Sequence, residues 1–209
     1  MSSKHFVITV ERQYGSGGRL TSERLAKELG IHFYDEEILK MTSETSAIGE
    51  QYFRLADEKA GNNLLYRIVT NIKPELSEPA QNGHKITSPE NLFRFQSSVI
   101  RKLAASENCI IVGRCADYIL EDIPNHLNVY VYAPDEARLK NCVENLQMDP
   151  QTAKKMMRDV DAARNRYHKA YIPGWQSVFD HKDLMIDSSR FGIDGTAKIL
   201  ADIVKNQWG

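Results

Sequence analysis

Phe6-Val7-Ile8-Thr9-Val10-Glu11-Arg12-Gln13-Tyr14-Gly15-Ser16-Gly17-Gly18-Arg19-Leu20 joins an apolar, β-branched run to a glycine-rich turn and the start of a periodic helix. Residues 6–10 read as a buried strand, and Leu20, Leu25, Ala26 and Leu29 recur at helical spacing. Gly15, Gly17 and Gly18 lie between the two. Lacking Cβ atoms, they can take positive φ and let the backbone curl around an anion, with its amides aimed inward at a helix N-terminus. Strand, glycine turn and helix in that order read as a phosphate cradle rather than a tight turn alone.

The departures from the usual pattern are as informative as the match. Laid on G-x-x-x-x-G-K-[ST] with the second glycine at Gly17, the chain has Arg12 in the first glycine's place, Gly18 in the lysine's and Arg19 in the hydroxyl's. The side chain of Arg19, directly after the last glycine, is expected to return part of the missing positive charge; otherwise the charge falls to Arg12 or to arginines further along. Thr21 and Ser22 either offer a hydroxyl near a magnesium ion or form an ordinary polar first helical turn.

A chain of 209 residues can bury a substantial core and is expected to form one domain. No apolar run approaches the ~20 residues of a spanning helix, and no apolar segment follows the first five residues as in a secretory signal, so a cytoplasmic site is expected. Cys109, Cys115 and Cys142 are odd in number and lack C-x-x-C spacing, which argues for reduced thiols over a disulfide framework or zinc site. With 27 basic and 28 acidic residues the net charge of -1 gives no global pull toward nucleic acid or membrane. An anion site must be local.

Further along, residues 31–34 form a short strand ending at Asp35, and 36–42 start a helix. From about 42 to 88 the pattern loosens through prolines, glycines and polar residues, as in an insertion. Ser88 and Pro89 cap a helix reaching about 105. Residues 109–112, wholly apolar, make a strand buried on both faces and end at Gly113-Arg114. Residues 127–132 are the next strand, and Pro134-Asp135 opens a helix to about 146. After Asp149-Pro150 comes a helix to about 167, and Lys154, Lys155, Arg158, Arg164, Arg166 and Lys169 concentrate positive charge there. Residues 183–187 are a last strand, and 193–206 a closing helix. Such alternation predicts an α/β fold of three layers with a parallel sheet, whose ligands lie outside the carboxyl ends of the strands. The glycine turn, Asp35 and Gly113-Arg114 all fall at such ends. Arg114 serves either a ligand there or an ion pair with Asp117 or Glu121. Asp35 either orients an arginine or metal-bound water, or caps the next helix. Cys115 beside Arg114 is more often a buried inert thiol than a reactive one.

Segments 8–18 (ITVERQYGSGG), 25–35 (LAKELGIHFYD), 110–117 (IIVGRCAD), 158–166 (RDVDAARNR) and 187–189 (DSS) together resemble the nucleoside monophosphate kinases, most closely their cytidylate kinase-like branch. The resemblance covers nearly the whole chain. It implies a P-loop kinase fold with a helical acceptor-binding insertion over about 36–89 and an arginine-bearing lid over about 149–172. By resemblance, Gly15, Ser16, Gly17, Gly18, Arg19 and Leu20 hold the phosphates of ATP, with magnesium bridging them. Asp35, Arg114 and Arg164 face the acceptor, and Arg158, Arg166 and Arg114 act in the transfer. Phosphoryl transfer asks mainly for positioning and for neutralisation of equatorial oxygens, which multidentate arginines suit. Arg158 and Arg166, eight positions apart, are expected on one side of the helix, where they could converge on one phosphate. A solvated helix laced by Asp159 and Asp161 is the plainer alternative.

Base recognition departs from the family. Cytidylate kinases carry a serine and an arginine shortly after the aspartate matching Asp35, and an aspartate after the arginine matching Arg114; here Glu36, Met41 and Cys115 stand there. The expected activity is therefore ATP-dependent transfer to a nucleoside monophosphate, with (d)CMP the first acceptor to try. The alternatives are a different small phosphate acceptor, a nucleotide-binding module without catalysis, or an interaction protein that uses only the fold.

Overall fold

The computed structural model describes residues 5–35 and 89–209. The expected helix over 36–42 and the insertion lie outside them. Five strands, β1 (Val7–Arg12), β2 (His32–Tyr34), β3 (Cys109–Val112), β4 (His126–Tyr132) and β5 (Leu184–Asp187), form one sheet in the order β2-β3-β1-β4-β5. Every neighbouring pair is parallel. The helices are α1 (Gly18–Leu29), α2 (Pro89–Ser106), α3 (Ala116–Ile119), α4 (Asp135–Glu144), α5 (Pro150–Tyr171) and α6 (Ser188–Trp208).

Alternation along buried strands sorts the core onto two faces. Val7 of β1 and Cys109 and Ile111 of β3 pack with Phe95, Val99, Ile100 and Leu103 of α2 and with Ile119 of α3. Ile8 and Val10, with Ile110 and Val112, pack on the other face with Leu25 and Ala26 of α1 and Ala197, Leu200 and Val204 of α6. Both faces of the sheet are thus covered, the condition under which parallel strands read as unbroken apolar runs. A third, smaller cluster of Cys142, Ala153 and Met157 joins α4 to α5 and takes in Tyr14 from the glycine turn.

Several boundaries differ from the sequence reading for identifiable reasons. β1 runs two residues beyond Val10 because Glu11 and Arg12 are themselves buried. α1 starts at Gly18, and its C-terminus is closed by Gly30 at φ 65°, the left-handed cap glycine supplies without strain. α5 continues to Tyr171; Asp149 caps its start by accepting from the backbone N–H groups of Gln151 and Thr152, with Pro150 in the first turn. α6 begins at Ser188, capped by Asp187, and is interrupted at Gly192 (φ 68°, ψ 176°), so only its second part matches the expected helix. The short α3 is too brief to leave a periodicity in sequence. Cys109, Cys115 and Cys142 are free and buried.

Candidate functional site

The glycine turn leaves the carboxyl end of β1, the middle strand, and runs into α1. Gly15 and Gly17 hold φ of 81° and 77°. Neighbouring elements draw its carbonyls outward. Tyr14 O accepts from Arg138 Nε (2.8 Å), Gly15 O from Asn141 Nδ2 (2.7 Å) and Ser16 O from Ser188 Oγ (2.6 Å). Because the peptide unit is planar and trans, each outward carbonyl turns the following N–H away from those groups, here the amides of Gly15, Ser16 and Gly17. Ser16 N–H folds back onto Gln13 O at 3.3 Å. α1 follows with Gly17 as N-cap; its first amide, Gly18 N–H, donates to Ser16 Oγ at 3.3 Å, and the positive end of the helix faces the turn. Glycine is needed at 15 for space as well: a Cβ would stand 2.8 Å from Cys142 Sγ and 3.0 Å from Arg138 O.

One aspartate and one arginine of α5 brace this turn and the strand end behind it. Asp161 accepts from Tyr14 N–H at 2.8 Å and from Arg138 Nη2, while Arg164 Nη1 donates to Arg12 O at 3.0 Å and lies 3.7 Å from Asp161. Arg164, expected to face the acceptor, is therefore placed on the strand end behind the turn. Arg158 and Arg166 are exposed and line different cavities. Arg158 faces one of about 500 Å³ between α4 and α5 with Lys154 and Met157, and Arg166 another of about 460 Å³ with Lys169 and Trp175. Eight residues of helix separate them by ~12 Å along the axis, and the structure does not bring them onto one point.

Arg19 stands half exposed at the rim of the turn. Its Nε donates to Asp35 Oδ2 at 2.9 Å, its Nη1 lies 3.7 Å from Glu23, and its Cζ sits 5.8 Å from the Phe33 ring centroid. Asp35, buried at the end of β2, thus orients an arginine, as one of its two readings had it. Leu20 is exposed. Thr21 and Ser22 are fully buried, and Ser22 Oγ donates to Gly18 O at 2.8 Å, so neither hydroxyl reaches the open side of the turn. Among the described residues the turn itself offers no protein ligand for magnesium.

At the end of β3, Gly113, Arg114 and Cys115 all hold positive φ, 80°, 61° and 55°. This left-handed run carries the Arg114 guanidinium toward α5, with Cζ 5.3 Å from the Tyr167 ring centroid. Asp117, proposed above as a partner of Arg114, is instead paired with Lys182. Cys115 is fully buried; burial, then Glu11 and Asp117, push its thiol well above the usual range, the setting of an inert thiol.

Sequence reasoning missed a buried charge cluster beneath these elements. Glu11 of β1 meets His168 of α5 at 3.4 Å, and Asp117 of α3 meets Lys182 of the segment before β5. Burial opposes ionisation of Glu11, but the adjacent His168, then the charges of Arg12 and Lys182, bring its carboxyl down to about 2. Burial opposes the imidazolium too, yet Glu11 and the Arg164 carbonyl raise His168 to about 9. Ligand atoms of Glu11, Asp117 and His168 lie within 4.8 Å of one another, a spacing a metal ion could use. Two carboxylates facing an imidazolium and an ammonium are already neutralised, however, which disfavours a metal ion there. Only Glu11 carried a signal in sequence, as an acidic residue continuing a core strand.

A family profile described as the cytidylate kinase-like family matches residues 7–190, from β1 into the start of α6. The chain belongs to that family. No curated protein sequence matches it significantly. Among solved structures, an uncharacterized protein from Eubacterium ventriosum is similar at 23% identity and a TM-score of 0.69, over 96% of this chain and 99% of that one. Shikimate kinase from Bacteroides thetaiotaomicron is similar at 12% identity and a TM-score of 0.50, over 96% and 98%. At such identities the likeness is one of fold, that of the P-loop kinases. No helix of the described residues is long and apolar enough to cross a membrane.

Proposed function

We propose that this protein transfers a phosphoryl group from ATP to a nucleoside monophosphate, with (d)CMP the first acceptor to test. The observation that carries the reading is the glycine turn, whose carbonyls are held outward by Arg138, Asn141 and Ser188 and which runs directly into the N-terminus of α1. That arrangement suits polyphosphate. The donor's phosphates would rest on amides of residues 15–20, and Arg114 at the end of β3 would meet the acceptor's phosphate. Arg158 and Arg166 would act when α5 and its neighbours close over both nucleotides. Magnesium would be held by the donor's phosphates and would offset their charge.

The acceptor-binding insertion expected over 36–89 lies almost wholly outside the described residues, and the positions that read cytosine in cytidylate kinases carry Glu36, Met41 and Cys115. The acceptor panel must therefore vary the base. Purified protein with ATP, magnesium and a panel of nucleoside monophosphates should yield the corresponding diphosphate from at least one; transfer to none sinks the reading. The vacant lysine position at Gly18 favours a second reading, a nucleotide-binding module without turnover. Calorimetry showing ATP binding beside a silent transfer assay would select it.

A further inference from the structure

The glycine turn carries a reciprocal exchange: Arg12 stands where the phosphate-loop pattern has its first glycine, and Gly18 where it has its lysine. The structure shows why the two changes go together. The stem of Arg12 lies across the first residue of α1, so that a Cβ on Gly18 would stand 2.6 Å from Arg12 Cβ and 3.1 Å from its Cγ. A lysine at 18 and an arginine at 12 exclude one another. At the far end of the same side chain, a Cβ on Gly113 would stand 2.5 Å from Arg12 Nη1. Two glycines, one on α1 and one after β3, thus clear the path of a single arginine.

That path places the guanidinium between the start of α1 and the end of β3, the strand adjacent to β1. On one side lies the turn proposed to hold the donor's phosphates, and on the other Arg114. The side chain is already ordered, only 8% exposed, and its own carbonyl is fixed by Arg164. Arg19, by contrast, stands at the rim and is turned onto Asp35.

We propose that Arg12, entering from the end of β1, takes over the role of the missing lysine and binds the donor's β- and γ-phosphates. This rests on the phosphoryl-transfer reading above. In the step it serves, the bond from the γ-phosphorus to its β-bridging oxygen breaks as an acceptor phosphate oxygen bonds to that phosphorus. The electron pair leaves on the diphosphate. Arg12 keeps its protons and balances the charge that collects on the leaving oxygens.

Calorimetry with ATP, ADP and AMP on the wild type, Arg12→Met, Arg12→Lys and Arg19→Ala tests this. Wild type is expected to bind ATP at least about tenfold more tightly than AMP, the factor one charge-assisted contact supplies. Arg12→Met keeps the apolar stem over Gly18 and should lose at least about tenfold for ATP while AMP changes by less than about threefold. Arg12→Lys should fall between, and Arg19→Ala should lose less than Arg12→Met. Failure of the wild type to bind ATP overturns the kinase reading and this inference together. Tight ATP binding by both Arg12 variants, an equal loss for ATP and AMP, or a larger loss in Arg19→Ala overturns the role of Arg12 alone. Should Arg12→Met not fold, a crystal of the wild type with a non-hydrolysable ATP analogue decides: a guanidinium nitrogen within about 3.5 Å of a β- or γ-phosphate oxygen is expected, and none within about 5 Å refutes it.

Discussion

Arg114 and Cys115 adopt left-handed backbone in succession, a conformation that costs an L-residue about 1–2 kcal/mol each. Such strain persists only where its surroundings enforce it, and here burial of Cys115 and the Ala116 N–H bond to Gly113 O (3.2 Å) do so. The return is a guanidinium delivered to the ligand edge of the sheet against Tyr167. Replacing Arg114 by glycine relieves its share of the strain and loses the contact with Tyr167, two effects of similar size. Arg114→Gly should therefore melt within about 3 °C of the wild type, while transfer to the monophosphate acceptor falls at least about a hundredfold. Thermal unfolding beside steady-state kinetics checks both halves. A variant that melts much earlier yet transfers phosphate normally would make Arg114 a structural residue.

At the level of elements, glycines that share a positive φ need not be equally important. Gly15 (φ 81°) is crowded by Cys142 Sγ and Arg138 O, whereas Gly30 (φ 65°) closes α1 with nothing within 4 Å of a Cβ. Gly30→Ala should cost about 1 kcal/mol, or about 2–4 °C in a chain of this size. Gly15→Ala adds overlap to the same strain and should cost at least about twice as much, read as the difference between two melting curves. Equal losses would mean that α4 yields freely and does not hold the turn. The same contrast explains what was legible in sequence. Strands such as 109–112 announced themselves because burial on both faces leaves no polar alternation. Glu11 and Arg12 did not, since charge usually ends a core strand and their surroundings, His168, Lys182 and Gly113, lie a hundred or more residues away. Asp161 and Arg164 read as ligands or solvated charges because a helix's own periodicity says nothing of which loop it braces.

Across the whole molecule, Glu11, Asp117, His168 and Lys182 tie the middle strand, α3, α5 and the segment before β5 into one buried neutral cluster. Breaking such a cluster is costly because a partner stays buried and unpaired. Its dependence on pH follows from the two raised and lowered groups. His168 stands at about 9 against an ordinary 6.5, so its contribution is complete below about pH 6.5 and fades as pH rises through 9. Glu11 stands at about 2 against 4.5, so its contribution is complete above about pH 4.5 and is lost as pH falls toward 2. The pair is therefore strongest between about pH 4.5 and 6.5. At about 1.4 kcal/mol per pH unit, the alkaline limb is worth of the order of 3 kcal/mol. Near pH 9 the buried thiols of Cys109 and Cys115, held neutral in the fold, ionise on unfolding and add a further loss common to any variant that keeps them. Denaturant unfolding from pH 6 to 8 should accordingly show the wild type losing stability steadily, while a Glu11→Gln/His168→Gln double variant, lacking both charges, stays nearly level. Parallel curves for the two proteins would show that the Glu11–His168 pair is not what holds α5 to the sheet.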